Sequence, residues 1–161
     1  VNVGAAPEEP RAVAQSAIKA FQDGDAPTLG KVAHPELKRR LRTARLLKFY
    51  LEMKKIDTGF LSTAPESKVV ELFCEAHRAI VPPRDSRLDY FDYYMSTVVH
   101  GDFAIVTFDS GWKTRAEHPV ENHLQNEVIL EKDGGDWKFL WSPGVSLHVD
   151  LEWDPRDDLP K

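Results

Sequence analysis

Two hydrophobic periods divide the chain. Over 13–80 apolar residues recur at three- and four-residue spacing, the mark of amphipathic helices; from Leu88 onward the period falls to two, the mark of strands. Val13, Ala14, Ala17, Ile18 and Phe21 predict a first helix, with Glu8 and Glu9 at its positive N-terminal end and Pro10 tolerated in the first turn. Gly24 follows as the left-handed residue that ends it. Asp25 caps a short second helix, with Pro27 in the first turn and Leu29, Val32 and Ala33 on the buried side. His34-Pro35 breaks that helix, because the residue before proline is pushed out of the helical region. Pro35 then opens a third helix with Leu37, Leu41, Ala44, Leu47 and Leu51 inside, running to the turn at Asp57-Thr58-Gly59. Thr63-Ala64-Pro65-Glu66 reads as a capping box for a fourth helix reaching about residue 79.

The strand half is punctuated by turns. Residues 88–99 are rich in Tyr, Phe, Thr and Val, and His100-Gly101-Asp102 turns them into a second strand over 103–112. Along 120–131, Val120, Asn122, Leu124, Asn126, Val128 and Leu130 share one face. Gly134 and Gly135 supply the hairpin turn into a fourth strand over 137–149, bent near Pro143-Gly144. Helices followed by an antiparallel meander predict an α+β fold, N-terminal helices packed on one face of a single curved sheet. The expected domain spans 1–161, with its core over about 11–149 and tails at 1–7 and 151–161.

Composition narrows the function classes. The chain has 161 residues, 42% hydrophobic and 29% charged, enough for one ordinary globular domain. Cys74 stands alone, so no internal disulfide and no Cys-rich metal cluster is expected. No apolar run of about twenty residues exists, so no membrane span is expected. A net charge of −5 argues against a general nucleic-acid binder. That charge is uneven: residues 36–56 carry +6, and the difference between −5 and +6 leaves −11 for the rest. The chain starts at Val1 with no basic and apolar leader, which leaves the cytoplasm and the mature part of an exported protein both open.

Two stretches carry a resemblance. Residues 17–25, ending in Asp23-Gly24-Asp25 and continuing to His34-Pro35-Glu36, resemble the opening of NTF2-like (SnoaL-like, ketosteroid-isomerase-like) domains. The stretch 99–106 with its His100-Gly101-Asp102 turn, and 128–139 with Lys132-Asp133-Gly134-Gly135-Asp136-Trp137-Lys138, resemble the terminal hairpins of the same superfamily. The helical stretch over about 38–81 is longer than compact members have. The resemblance implies a cone, helices wrapped over a curved sheet around a pocket, and a homodimer through the sheet. Function then divides into a pocket binding a small, partly apolar ligand, an isomerase, dehydratase or cyclase, and an interaction module using the basic helix over 38–55.

Each candidate residue has a plain structural reading beside the chemical one. Enzymes on the cone use a desolvated carboxylate as base beside an oxyanion donor. Asp92 and Tyr94 share a strand face by period two, and Asp109 with His123 offers a second pair; as plain strand residues, the same side chains are solvated or amphipathic. His34 is read either as a pocket-mouth proton shuttle or as a turn histidine with a local hydrogen bond. Tyr90, Trp112 and Trp141 are read as ligand-contacting aromatics or as core. Arg39, Arg42 and Arg45 are read as partner-binding or as a solvated helix face. Cys74, three residues before His77, is read as a small buried hydrophobe rather than a nucleophile. The six histidines lack metal-ligand spacing, so neither metal nor cofactor is expected.

Overall fold

The computed structural model describes residues 8–159. The expected tail at 1–7 and the last two residues of the acidic C-terminal stretch lie outside the described residues. Helix α1 (Glu8–Asp23) ends at Gly24 with φ +66°, and α2 (Ala26–Val32) is capped by Asp25, whose carboxylate accepts the Thr28 N–H. Ala14, Ala17 and Ala20 are buried along one side of α1, so small side chains let this helix lie close against the sheet.

The single basic helix expected from Pro35 is instead two, α3 (Pro35–Leu41) and α4 (Arg45–Met53). Arg42, Thr43 and Ala44 each bond back three residues, and Ala44 turns extended, which lets the Arg45 N–H reach the Val149 carbonyl at 3.0 Å. Arg42 fixes the break by donating from Nη1 to the carbonyls of Leu61 (2.7 Å) and Ala64 (2.6 Å). Charge-assisted bonds to part-buried carbonyls hold the 3-10 turn Thr58–Ser62 against the α3–α4 corner. Arg42→Ala is expected to cost about 1–3 kcal/mol, because both carbonyls lose their donor. Urea unfolding checks the cost. Limited proteolysis checks the location, with new cleavage expected near residues 57–65.

Helix α5 (Glu66–Ile80) buries Val69, Val70, Phe73, Cys74 and Ala76. The expected capping box does not form. Pro65 occupies the N-cap position and has no side-chain bond to give, while the Thr63 hydroxyl bonds back to the Phe60 carbonyl at 3.4 Å.

Four strands follow, β1 (Leu88–His100), β2 (Phe103–Thr114), β3 (Glu121–Asp133) and β4 (Asp136–Trp141), as an open antiparallel sheet in the order β1-β2-β3-β4. The α+β architecture is therefore as the sequence predicts, with the helices preceding the meander. Gly101, Gly134 and Gly135 take the positive φ of the two hairpin turns. The fourth strand is shorter than expected. Ser142 caps a helix, α6 (Pro143–His148), and Val145 and Val149, spaced four apart, are buried from helical rather than extended backbone.

The inner face of the sheet carries Ala104, Val106, Phe108, Val128, Leu130 and Phe139, all buried against the helices. On the other face the C-terminal segment folds back over β4. Trp141 donates its indole N–H to the Trp153 carbonyl at 2.7 Å, and Arg156 lies over the Trp141 ring while reaching Glu127 at 3.8 Å. Among the described residues no helix is long and apolar enough to cross a membrane.

Candidate functional site

The inner sheet face changes character beyond Phe108. Following the register Tyr90↔Trp112↔Asn122 and Asp92↔Ser110↔Leu124, the next positions are polar or aromatic, with Leu124 the one aliphatic among them. They line a cleft of about 520 Å³, with Gln22 of α1, Arg84 before β1 and Pro143-Gly144 of α6 around them. A smaller hollow of about 160 Å³ beside Gln15, Ile18, Lys19 and Phe108 also reaches Asp92, so this carboxylate lines both hollows. Another hollow of about 360 Å³ lies between α2 and α5, where Lys38 and Glu66 already pair with each other at 3.2 Å.

Within the cleft, Ser110 donates to Asp92 Oδ1 at 2.6 Å. Tyr94 shares the strand face of Asp92 but directs its hydroxyl to Thr97 at 2.8 Å, and Arg11 lies over its ring. Asp92 and Tyr94 therefore do not converge on one point. Tyr90 accepts the Asp85 N–H through its hydroxyl at 3.0 Å and carries Arg84 over its ring at 4.6 Å, at the rim of the cleft. Trp112 and the 59%-exposed Leu124 give the cleft its apolar surface.

Asp109 and His123 do meet, on the opposite face. Asp109 lies against His123 Nδ1 at 2.9 Å and Glu121 against Nε2 at 2.8 Å, which raises the histidine above its ordinary value, Glu121 contributing first and Asp109 second. The imidazole packs over Gly111 against Phe91 with ring centres 5.2 Å apart. Asp109 and Glu121 stand on this exposed sheet surface outside the cleft lining, while His123 also borders the cleft.

The remaining candidates hold the fold. His34 caps α3: its Nδ1 accepts the Glu36 N–H at 3.0 Å, so the ring proton sits on Nε2, which meets Glu131 at 2.9 Å. Trp141 is buried under the C-terminal segment, away from Trp112. Arg39 pairs with Glu36 through two bonds, Arg42 holds the α3–α4 corner, and Arg45 donates to the Leu147 carbonyl at 3.2 Å. Cys74 is buried, and burial pushes its thiol up to about 11, the opposite of an activated nucleophile. Among the described residues no three His, Cys, Asp or Glu are grouped to hold a metal ion.

Sequence patterns pass over several cleft residues. Ser110 is the clearest, a small polar side chain interrupting the inner-facing series Ala104, Val106, Phe108 and Trp112. Gln22 and Arg84 leave no such trace, since they arrive from a helix end and a loop.

His77 and His148 form a separate pair between α5 and α6, rings 5.2 Å apart and edge to face, with Phe21 against both. Burial lowers His77. Burial first, then the charges of His77 and Arg45, takes His148 down to about 4. The unfolded chain therefore binds more protons between the ordinary histidine value and about 4. Stability from this pair is complete above about pH 6.5 and is lost as pH falls toward 4. Allowing for their partial exposure, the loss is about 1–2 kcal/mol. Urea unfolding from neutral to mildly acidic pH should show wild type losing that much more than His148→Phe. Parallel profiles would remove the assignment.

Comparison with known proteins corrects one expectation. No family model matches the chain, and no curated protein matches it. Among solved structures, the chain is similar to the solution structure of a SEC-C motif containing protein from Rhodopseudomonas palustris, at 13% identity and a TM-score of 0.40, over 83% of this chain and 77% of that one. Likeness at that level carries no argument about function. The expected membership of the NTF2-like superfamily is not upheld: no family model matches the chain, and the solved structure it is similar to is a SEC-C motif containing protein. The physical reason lies in the residues that carried the resemblance. Gly24, Asp25, His34, Gly101 and Gly134 are helix caps and turn residues. Any α+β chain needs that chemistry at those junctions.

Proposed function

We propose that the cleft at the open end of the inner sheet face binds a small, partly apolar molecule without turning it over. The observation that carries the reading is the juxtaposition of Trp112, Tyr90 and Leu124 with the Asp92–Ser110 pair and the amides of Asn122 and Asn126 in one hollow of about 520 Å³. Apolar walls with a few convergent polar groups are what small-molecule sites have in common. The polar set favours a ligand with hydrogen-bond donors for Asp92 and the amide oxygens. Binding is preferred to turnover because Ser110 holds Asp92 and the Tyr94 hydroxyl is spent on Thr97. Two copies meeting through the sheet belong to the same reading, supported by exposed Tyr93, Met95 and Val98 on the edge strand β1.

Native mass spectrometry of freshly purified protein, alone and after mixing with a small-molecule extract, tests both parts. The expected result is a dimer that retains or acquires a small mass, with the added mass reduced at least about tenfold by Trp112→Ala or Asp92→Asn. A protein that takes up nothing, or takes it up equally in both variants, removes the cleft from the account. A monomer removes the pairing alone.

A further inference from the structure

We infer that the apolar groove between α4 and α6 docks an acidic, amphipathic segment of a partner protein. The inference is independent of the cleft. The groove holds about 330 Å³ and is lined by Arg45, Leu46 and Phe49 of α4, Ile80 at the end of α5, and Leu147 and His148 of α6. Phe49 is 53% exposed and Leu147 51%, facing water from two different helices across one hollow. Met53, one turn beyond Phe49 on α4, is 62% exposed. Helix α4 thus has two apolar sides: Leu46, Leu47, Tyr50 and Leu51 fill the core, and Phe49 and Met53 face solvent. Single exposed apolar residues are ordinary, but a contiguous row around a hollow marks an interaction site.

Charge selects the partner. On α4, Lys48 stands beside Phe49 and one turn from Arg45, Lys54 and Lys55 follow Met53, and Glu52 is the one acidic residue within Arg45–Met53. One wall of the groove, Arg45, Leu46 and Phe49, belongs to the +6 segment of a chain whose net charge is −5. Arg39 is paired with Glu36 and the half-buried Arg42 is turned to backbone carbonyls, whereas Arg45 gives one N–H to the Leu147 carbonyl and stays exposed. The basic surface beside the groove is therefore Arg45 with the exposed Lys48 rather than the whole basic segment. A helix or turn that places one bulky apolar anchor in the hollow, with Asp or Glu flanking it, satisfies both features.

Selection of random peptides displayed on phage against the intact protein tests the inference. Enriched peptides are expected to carry Asp or Glu around a Trp, Phe or Leu. Their affinity should fall about tenfold or more in Phe49→Asp and clearly in Lys48→Glu, and stay unchanged in Phe60→Asp, a similarly exposed apolar site outside the groove lining. Failure to enrich any peptide, enrichment of basic peptides, or equal binding by Phe49→Asp overturns it. Flotation with phosphatidylserine-containing vesicles that depends on Phe49 would reassign the groove to a membrane surface, and Phe49-dependent self-association would reassign it to a second copy. Either outcome overturns the acidic partner.

Discussion

Gly111→Ala is expected to destabilise the protein by about 3 kcal/mol, at the upper end of what overpacking costs. Gly111 sits in the middle of β2, between Phe91 on β1 and His123 on β3. A Cβ added there lands on the backbone carbonyl oxygen of Asn122 and comes within 3.1 Å of the Phe91 ring. A side chain can rotate away from such a clash, but a carbonyl in a strand ladder cannot without breaking pairing. The missing side chain is also what lets the Phe91 and His123 rings close across β2, with Tyr93 stacked on Phe91 at 4.7 Å. Equilibrium urea unfolding measures the effect. A cost below about 1 kcal/mol would mean that the strands are not so close. Gly30→Ala is the control, because a Cβ there meets nothing within 4 Å and the position lies in a helix, where alanine is favoured.

Trp141→Ala is expected to cost more, about 3–5 kcal/mol, the usual range for emptying a buried tryptophan site. Trp141 is 1% exposed and joins β4 to the returning C-terminal segment through its N–H bond to Trp153, while Arg156 covers its ring. Trp141→Phe separates the two contributions. The ring survives and the N–H is lost, so the Trp153 carbonyl loses its donor and the expected cost is about 1–2 kcal/mol. Chemical unfolding of both variants reads the totals, and hydrogen exchange over residues 150–159 reads where the loss falls. If Trp141→Ala leaves exchange there unchanged, the segment is not held by this contact.

The helical and strand halves were legible because burial follows period. The α1 positions Ala14 and Ala17 and the β2 positions Ala104, Val106 and Phe108 are inside as the spacing requires. Junctions were legible where a residue type acts alone, as at Asp25 and Gly24. They were not legible where a distant partner decides. The α3–α4 break depends on carbonyls of Leu61 and Ala64, which lie some twenty residues from Arg42 in sequence. Likewise, period two fits Val145, Leu147 and Val149 as well as a helical turn does, and Ser142 with Pro143 decides for the helix. The candidate site was half legible. Asp92, Tyr90 and Trp112 lie in the cleft, but shared parity could not reveal that the Tyr94 hydroxyl turns to Thr97. Nor could it show that Asp109 and His123 meet on the opposite face. The basic stretch looked like one surface, yet each of its four arginines bonds to Glu36 or to a carbonyl, and Arg45 alone of those on carbonyls stays exposed.

Amide chemical-shift mapping by NMR, titrating isotope-labelled protein with a library of small, partly apolar molecules, reads ligand binding at the cleft residue by residue. Binders are expected whose shifts concentrate at Tyr90, Asp92, Ser110, Trp112 and Asn122, residues around the cleft, and that lose their effect in Trp112→Ala. Binders that shift only residues elsewhere, or no binder at all, would contradict binding at the cleft.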